Sequence, residues 1–110
     1  MKRRYLYYAG LKCTACRTTY SNNGRLAIML RTKDIKYDGG PVFGKVTVNL
    51  DDGLDLEPEY AYLDTNNCPG IEECMMESGL AAPTGMYCRS GYCRYPLYKF
   101  DLNRIPEVKI

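Results

Sequence analysis

Apolar and polar residues alternate along much of this chain, and this alternation predicts β-strands. The segment 25–31 is apolar at five consecutive positions, 26–30, which indicates a strand covered on both faces. Further strands are predicted at 4–8, 13–20, 60–64 and 92–102, where Pro96 indicates an edge strand or a bulge. In the clearest segment, residues 42–50, an apolar face opposes a polar one: Val46, Val48 and Leu50 against Lys45, Thr47 and Asn49.

A helical period replaces the alternation at about residues 69–78. Pro69 suits the first helical turn, since its missing N–H is not needed there. Asn67 or Cys68 would then occupy the N-cap, and Asn67 has the better capping chemistry. Gly79 can adopt the left-handed conformation that ends a helix. One stripe of this helix is predicted to pack on a sheet: Ile71, Cys74, Met75 and Ser78.

Turn signals separate these elements, and their order predicts the fold. Asn23-Gly24 is typical of a hairpin, and residues 83–85 and 90–91 are predicted turns. We expect an α+β fold, in which one helix (about 69–78) packs on one face of an antiparallel sheet of five or six strands. The 110 residues are predicted to form a single domain, 1–110, whose residues 103–110 are a loosely held tail.

The distribution of apolar residues does not favour a membrane protein. No run approaches the roughly 20 apolar residues of a membrane-spanning helix. The basic N-terminus is followed by a Tyr-rich segment that Gly10 and Lys12 interrupt, which favours a strand over a signal peptide. We therefore expect a cytoplasmic protein with reduced thiols and no membrane partner.

Groups that commonly carry catalysis are missing from the sequence. There is no histidine, which removes the commonest general base and the commonest metal ligand. No P-loop or dinucleotide-binding motif is present. The acidic segment that begins at Asp51 lacks the spacing of a calcium-binding loop. The sequence predicts a protein that is not an enzyme and has no cofactor.

The six cysteines leave alternatives open. Cys13 and Cys16 form a CxxC pair, and Cys88 and Cys93 form a CxxxxC pair, so together they could supply four thiolates for zinc. An offset of three residues puts Cys13 and Cys16 on opposite faces of a strand, which weighs against a metal site. Cys88 and Cys93 are better placed, because a four-residue turn could bring them opposite each other. Buried or idle thiols are favoured over zinc and over a disulfide.

Tyrosine and charge indicate surfaces that bind partners. The chain has eleven Tyr, two Phe and no Trp, and Tyr combined with Arg is typical of protein interfaces. The net charge is only +2, yet residues 1–36 carry nine Lys or Arg against one acid, whereas residues 37–77 carry ten acids against one Lys. The basic N-terminal third, interleaved with aromatic residues, also suits single-stranded nucleic acid.

Six residues are candidate partner contacts because of their predicted positions. Three precede the helix and three lie at the last turn, where side chains can be presented outward. The first three have an ordinary structural explanation, since amides at this place cap a helix and shape its turn. The six residues are Asp64, Asn66, Asn67, Arg89, Tyr92 and Arg94.

Two strings in the C-terminal half are specific: DTNNCPG at residues 64–70 and GYCRYPLY at residues 91–98. With the segments at 20–28 and 46–50, they resemble a family of small uncharacterised domains carried by conjugative elements and phages of gut Firmicutes. The resemblance spans most of residues 16–102 and does not include Cys13, Cys16 or Cys88. It implies a setting, accessory cargo of a mobile element, and no activity.

These observations predict a non-enzymatic accessory protein that binds a host protein, with inhibition of a host-defence system such as a CRISPR nuclease as one form. One alternative is a nucleic-acid-binding accessory protein that uses the basic N-terminal third. The other is a cysteine-based zinc or redox module. The partner and the oligomeric state do not follow from the sequence.

Overall fold

The computed structural model describes residues 5–32 and 43–108. Arg4 and Val42, each at the start of a predicted strand, and residues 109–110 of the predicted tail lie outside this part. The described elements, in chain order, are β1 (Tyr5–Tyr8), β2 (Leu11–Thr19), β3 (Leu26–Thr32), β4 (Phe43–Lys45), β5 (Thr47–Val48), β6 (Tyr60–Leu63), α1 (Ile71–Ser78), β7 (Ala81–Ser90), β8 (Cys93–Phe100) and a 3-10 helix (Leu102–Arg104).

Within the described residues the strands form two four-stranded antiparallel sheets, β1-β2-β3-β4 and β5-β6-β8-β7. Antiparallel pairing and one α-helix are therefore confirmed, consistent with an α+β fold. The predicted single sheet of five or six strands is wrong. The reason lies in the predicted strand at residues 42–50, which changes sheet at its middle.

Val46 connects the two sheets. β4, which precedes it, pairs with β3, and β5, which follows it, pairs with β6. The Val46 N–H donates to the Ile28 carbonyl (2.9 Å), and the Val46 carbonyl accepts from the Asp64 N–H (2.8 Å). A strand that bends in this way forms a corner between sheets. The bend also buries Thr47, which was predicted to share an outer face with Lys45, and the Thr47 hydroxyl accepts from the Ile28 N–H (3.1 Å).

The helix α1 contacts β1 and β7, the edge strands of the two sheets. Ile71, Cys74 and Met75 are buried in the main core together with residues from both sheets, which confirms the predicted apolar stripe. Gly79 ends the helix with a φ of 73°, also as predicted. The helix therefore joins the edges of the two sheets through the core. No helix in the described part of the chain is long and apolar enough to cross a membrane.

β7 was not predicted, because its sequence contains residues that are typical of turns. The predicted turn at residues 83–85 lies inside β7, where the pairing with β8 shifts register as in a β-bulge. Gly85 has a φ of 87°, and the Thr84 hydroxyl donates to the Leu97 carbonyl (2.9 Å). β8 lies between β6 and β7, so Pro96 is in a central strand beside this irregularity. The predicted edge position is therefore wrong, whereas an irregularity of the kind that a bulge produces does lie opposite Pro96, on β7.

The C-terminal segment packs against β2 and against the end of α1. Ile105 is fully buried, and its carbonyl accepts from the Arg17 side chain (2.7 Å). Arg104 donates to the carbonyls of Ser78 and Gly79, at 3.0 Å each. A cation at the C-terminal end of a helix is favourable. These contacts connect the C-terminal segment to β2 and to the end of α1.

Candidate functional site

The six predicted contact residues occupy two places in the structure. One is the turn that leads into α1, and the other is the hairpin that joins β7 to β8. The first holds Asp64, Asn66 and Asn67, and the second holds Arg89, Tyr92 and Arg94.

The turn before α1 is held by its own side chains. The Asp64 carboxylate accepts from the backbone N–H of Asn67 (3.2 Å) and from its side-chain amide (2.9 Å). The predicted N-cap at Asn67 is wrong, because the cap position is Gly70, which has a φ of 80° and offers no side-chain bond. Asn66 is exposed. Asp64 and Asn67 therefore shape the turn, and their polar atoms are engaged there.

The β7–β8 hairpin ends in a two-residue turn. Ser90 pairs with Cys93, which leaves Gly91 and Tyr92 as the turn. Gly91 has a φ of 62°, whereas the φ of Tyr92 is not positive. A positive φ at the first central residue alone defines a type II′ turn, which favours glycine there. The turn leaves the Tyr92 side chain fully exposed at the tip.

One face of this hairpin carries two arginines and a tyrosine. Arg89 lies directly opposite Arg94, and Tyr87 lies on the same side as Arg89 because it is two residues away on the same strand. The Arg94 guanidinium carbon is 4.3 Å from the centroid of the Tyr87 ring, a cation–π contact. All three residues are exposed. We call Tyr87, Arg89, Tyr92 and Arg94 the hairpin patch.

The arginine pair is unfavourable for folding. Like charges directly opposite each other across an antiparallel pair destabilise it. Neither the Arg89 nor the Arg94 side chain forms a hydrogen bond or an ion pair with any described residue. Hydrogen bonds and ion pairs within the described residues therefore do not account for the two guanidinium groups, and only that of Arg94 has the cation–π contact with Tyr87.

The opposite face of the hairpin is anchored in a second, smaller core. Tyr95 and Leu97 are buried there with Tyr62, and Cys88 and Cys93 pack against the same cluster. One face of the hairpin is thus fixed by apolar contacts while the other is presented to solvent. This division makes the hairpin patch a surface on a supported element.

Arg25, in contrast, has a guanidinium group whose charge is paired and hydrogen-bonded within the chain. The Arg25 guanidinium donates to the Asp52 carboxylate, to the Leu54 carbonyl and, at 2.8 Å, to the Leu50 carbonyl. The Tyr62 hydroxyl donates to the other oxygen of the same carboxylate. The side chains of Arg25 and Asp52 are 14% and 5% exposed. We call Arg25, Asp52 and Tyr62 the loop clamp, because they fix the start of the acidic segment 51–59.

The clamp strongly favours the charged form of Asp52. Burial by itself would raise the pKa of this carboxyl group. The hydrogen bonds from Arg25, from Tyr62 and from the Leu54 N–H outweigh burial and lower the pKa to about 2. Burial and the hydrogen bond to Asp52 raise the pKa of Tyr62 in turn, so it stays a donor.

The cysteines do not gather into a site. All six are free thiols, and no three side chains of metal-ligand type converge within residues 5–32 and 43–108. Cys13 is buried whereas Cys16 is half-buried, in line with opposite faces of β2. Burial raises the pKa of both thiols, which disfavours the thiolate form. Cys88 and Cys93 share a face of the hairpin, but each pairs with another residue and they are not directly opposite.

The fold and the hairpin patch define a small, mostly antiparallel β domain with an exposed Tyr/Arg surface. The model of a domain of unknown function, DUF4313, matches residues 16–109, and the chain belongs to this family. This finding confirms the resemblance to a family of domains of unknown function, while the mobile-element setting stays a prediction. No curated protein and no solved structure matches the chain.

Tyr87 is the member of the hairpin patch that the sequence did not reveal, because β7 was not predicted. A signal was nevertheless present in the chain. With Gly91 and Tyr92 as a two-residue turn, Arg89 must lie opposite Arg94, and Tyr87 must share their face.

Proposed function

We propose that this domain binds another protein through the hairpin patch and is not an enzyme. The observation that supports the proposal most strongly is the pair Arg89 and Arg94, placed directly opposite each other without a bonded partner in the described chain. Arg and Tyr are enriched among the residues that dominate binding energy at interfaces. A bound protein supplies the acceptors that the two guanidinium groups lack.

The support beneath the patch suits binding. The hairpin is anchored through its other face, the turn has the geometry that Gly91 favours, and the ring of Tyr87 already orients Arg94. Side chains that are ordered before binding lose less entropy when the complex forms. Tyr92 at the tip adds a large ring with few rotatable bonds.

The setting of this activity rests on the resemblance to domains of mobile elements. We include in the proposal that the partner is a host protein of the cytoplasm and that binding blocks it. A host-defence protein such as a CRISPR nuclease is the form to test first. The test is co-expression with each candidate partner, followed by an assay of that partner's activity.

Affinity capture from a lysate of the native host tests the surface itself. The chain with Arg89→Ala and Tyr92→Ala is compared with wild type and with a matched control, Arg31→Ala and Tyr7→Ala, which removes the same chemistry from sheet β1-β2-β3-β4. We expect a protein that wild type and control recover equally and that the hairpin variant recovers about tenfold less. A captured protein that the hairpin variant retains in full, or no specific capture by wild type, would contradict the proposal.

A second candidate function, nucleic-acid binding, is favoured by one face of sheet β1-β2-β3-β4. Lys12 lies opposite Tyr7. Arg31 lies opposite Thr14, which is two residues from Lys12 on β2. Lys45 lies opposite Met29, which is two residues from Arg31 on β3. The three cations and Tyr7 therefore share a side of the sheet. A mobility shift of single-stranded DNA or RNA that weakens steeply with salt and is lost in the Arg31→Ala, Tyr7→Ala variant would support this function.

A further inference from the structure

β7 is an edge strand with only part of its edge protected. It pairs with β8 on one side, and no described strand pairs with its other side. Pro83 has no N–H to offer, and the register shift between Pro83 and Tyr87 interrupts the regular edge. Proline and bulges are devices that protect sheet edges from pairing with other chains. Pro83 and the register shift both lie before residues 87–90. These four residues pair regularly with β8, and no described strand pairs with their outer edge.

The charges beside this open edge select what can add to it. Arg89 and Ser90 are exposed, and Arg89 faces Arg94 on the next strand. A strand added outside β7 would place its own side chains next to Arg89 on the same face of the sheet. A carboxylate there would pair with a guanidinium group and relieve the repulsion between the two arginines.

A second copy of this chain fits the edge poorly. Antiparallel pairing of two β7 edges, with Arg89 of one copy opposite Arg89 or Tyr87 of the other, would bring both Arg89 side chains onto one face, beside both Arg94 residues. Four cations on one small face would repel one another. A nucleic acid has no peptide backbone to continue the β-ladder. The edge and the charges together favour a different, acidic polypeptide.

Building on the protein-binding function, we propose that the partner contributes an acidic, extended segment that adds to β7 at residues 87–90 as a further strand. Its backbone continues the hydrogen-bond ladder of sheet β5-β6-β8-β7, and its carboxylates face Arg89 and Arg94. The rings of Tyr87 and Tyr92 flank the segment and bury apolar area against it. This is recognition by strand addition, in which the backbone gives affinity and the side chains give specificity.

Synthetic probes test the two parts of the proposal separately. One is a fluorescein-labelled peptide of about ten residues that alternates Glu with Thr, so that it is acidic and favours an extended conformation. A Gln-for-Glu peptide removes the charge, and a peptide N-methylated at alternate residues keeps the charge but cannot complete a ladder. We expect anisotropy to show that the acidic peptide binds about tenfold more tightly than either control. Amide hydrogen exchange at residues 87–90 should slow when it binds.

Variants of the protein test whether the acidic peptide binds at the hairpin patch. Arg89→Gln should weaken binding of the acidic peptide about tenfold and leave the weak binding of the Gln peptide unchanged. Arg31→Ala is the matched control and should bind as wild type does. Arg89 is exposed and makes no side-chain bond in the described chain, so the variant is expected to fold, which a circular dichroism spectrum verifies.

Each contrary result overturns a defined part. Equal binding of the N-methylated peptide, or unchanged exchange at residues 87–90, overturns strand addition. Equal binding of the Gln peptide overturns an acidic partner, and tighter binding of oligo-dT than of the acidic peptide replaces it with a nucleic acid. Sedimentation reports whether the protein forms dimers. If wild type dimerises and Arg89→Gln dimerises more strongly, the claim that a second copy fits the edge poorly is overturned. If the capture experiment succeeds through the patch while the acidic peptide fails to bind, this inference fails and the proposed function stands.

Discussion

Arg25 and Arg89 show two opposite uses of the same side chain. The Arg25 side chain is 14% exposed and bonds to a carboxylate and two carbonyls, whereas Arg89 is exposed and forms no side-chain bond within the described chain. A buried charge has to be compensated where it lies. An exposed charge that is set against another of the same sign has no such role in folding. The comparison separates arginines that hold the fold from arginines that are available to a partner.

The same division extends to the other described arginines with resolved partners. Arg17 bonds to the Ile105 carbonyl and Arg104 to the carbonyls at the end of α1. Arg17 and Arg104 therefore have the same kind of role as Arg25, because each connects segments that are far apart in the chain. Among the described residues, the arginines of the hairpin patch form no hydrogen bond or ion pair through their side chains.

The largest effect is expected from breaking the loop clamp. Arg25→Ala leaves the Asp52 carboxylate buried without its cation, and breaking a buried ion pair in this way costs about 3–5 kcal/mol. Urea unfolding measures the loss. Arg89→Ala is the matched control and should change the free energy of unfolding by about 0.5 kcal/mol or less. A cost below about 1 kcal/mol for Arg25→Ala would remove the distinction between the two arginines.

Acid should weaken the clamp next. The folded pKa of Asp52 is lowered to about 2 from 3.8, so its stabilisation is complete above the unfolded pKa and is lost as the pH falls through the folded pKa. One pKa unit corresponds to about 1.4 kcal/mol, so wild type should lose about 2 kcal/mol more than Asp52→Asn does between about pH 5 and pH 2. Urea unfolding at several pH values measures the difference. Parallel pH profiles of the two proteins would contradict the clamp.

A smaller effect is expected at the end of α1. Arg104→Ala removes two hydrogen bonds to the carbonyls of Ser78 and Gly79 and a cation at the negative end of the helix. We expect a loss of about 1 kcal/mol in urea unfolding. Arg89→Ala, at an exposed position whose side chain forms no bond with a described residue, is the control. If the two variants have equal free energies of unfolding, Arg104 does not stabilise the fold and resembles the arginines of the hairpin patch.

Local patterns in the sequence were sufficient for much of the fold. The apolar segment 25–31 is covered on both faces, as Ala27 and Ile28 show. The helical stripe is buried and Gly79 ends the helix. These features depend on neighbours three or four residues away, or on alternate residues of one strand, so periodicity reports them directly.

The features that the sequence did not reveal depend on distant partners. The corner at Val46 exists because β4 and β5 find different strands to pair with, and no local signal records that choice. The bulge near Gly85 uses the same residue types as a turn, so β7 was divided into turns. The clamp between Arg25 and Asp52 joins positions far apart in the chain.

The candidate site was predicted in part. Arg89, Tyr92 and Arg94 followed from the excess of Tyr and Arg beside a turn, while Tyr87 required the strand that was missed. Asp64 and Asn67 were predicted beside the helix N-terminus, and the structure shows a turn that closes on itself before Gly70 begins the cap. Composition indicated the kind of surface, and strand register was needed to assemble it.

The most direct test of the division between folding and recognition is urea unfolding of Arg89→Glu beside wild type and Arg89→Ala. The change places a carboxylate opposite Arg94, and an opposite-charge pair across two strands contributes about 0.2–1 kcal/mol. We predict that Arg89→Glu is more stable than wild type by about this amount, while the hairpin patch no longer captures its partner. A loss of more than about 1 kcal/mol would show that Arg89 serves the fold and would contradict its assignment to a partner.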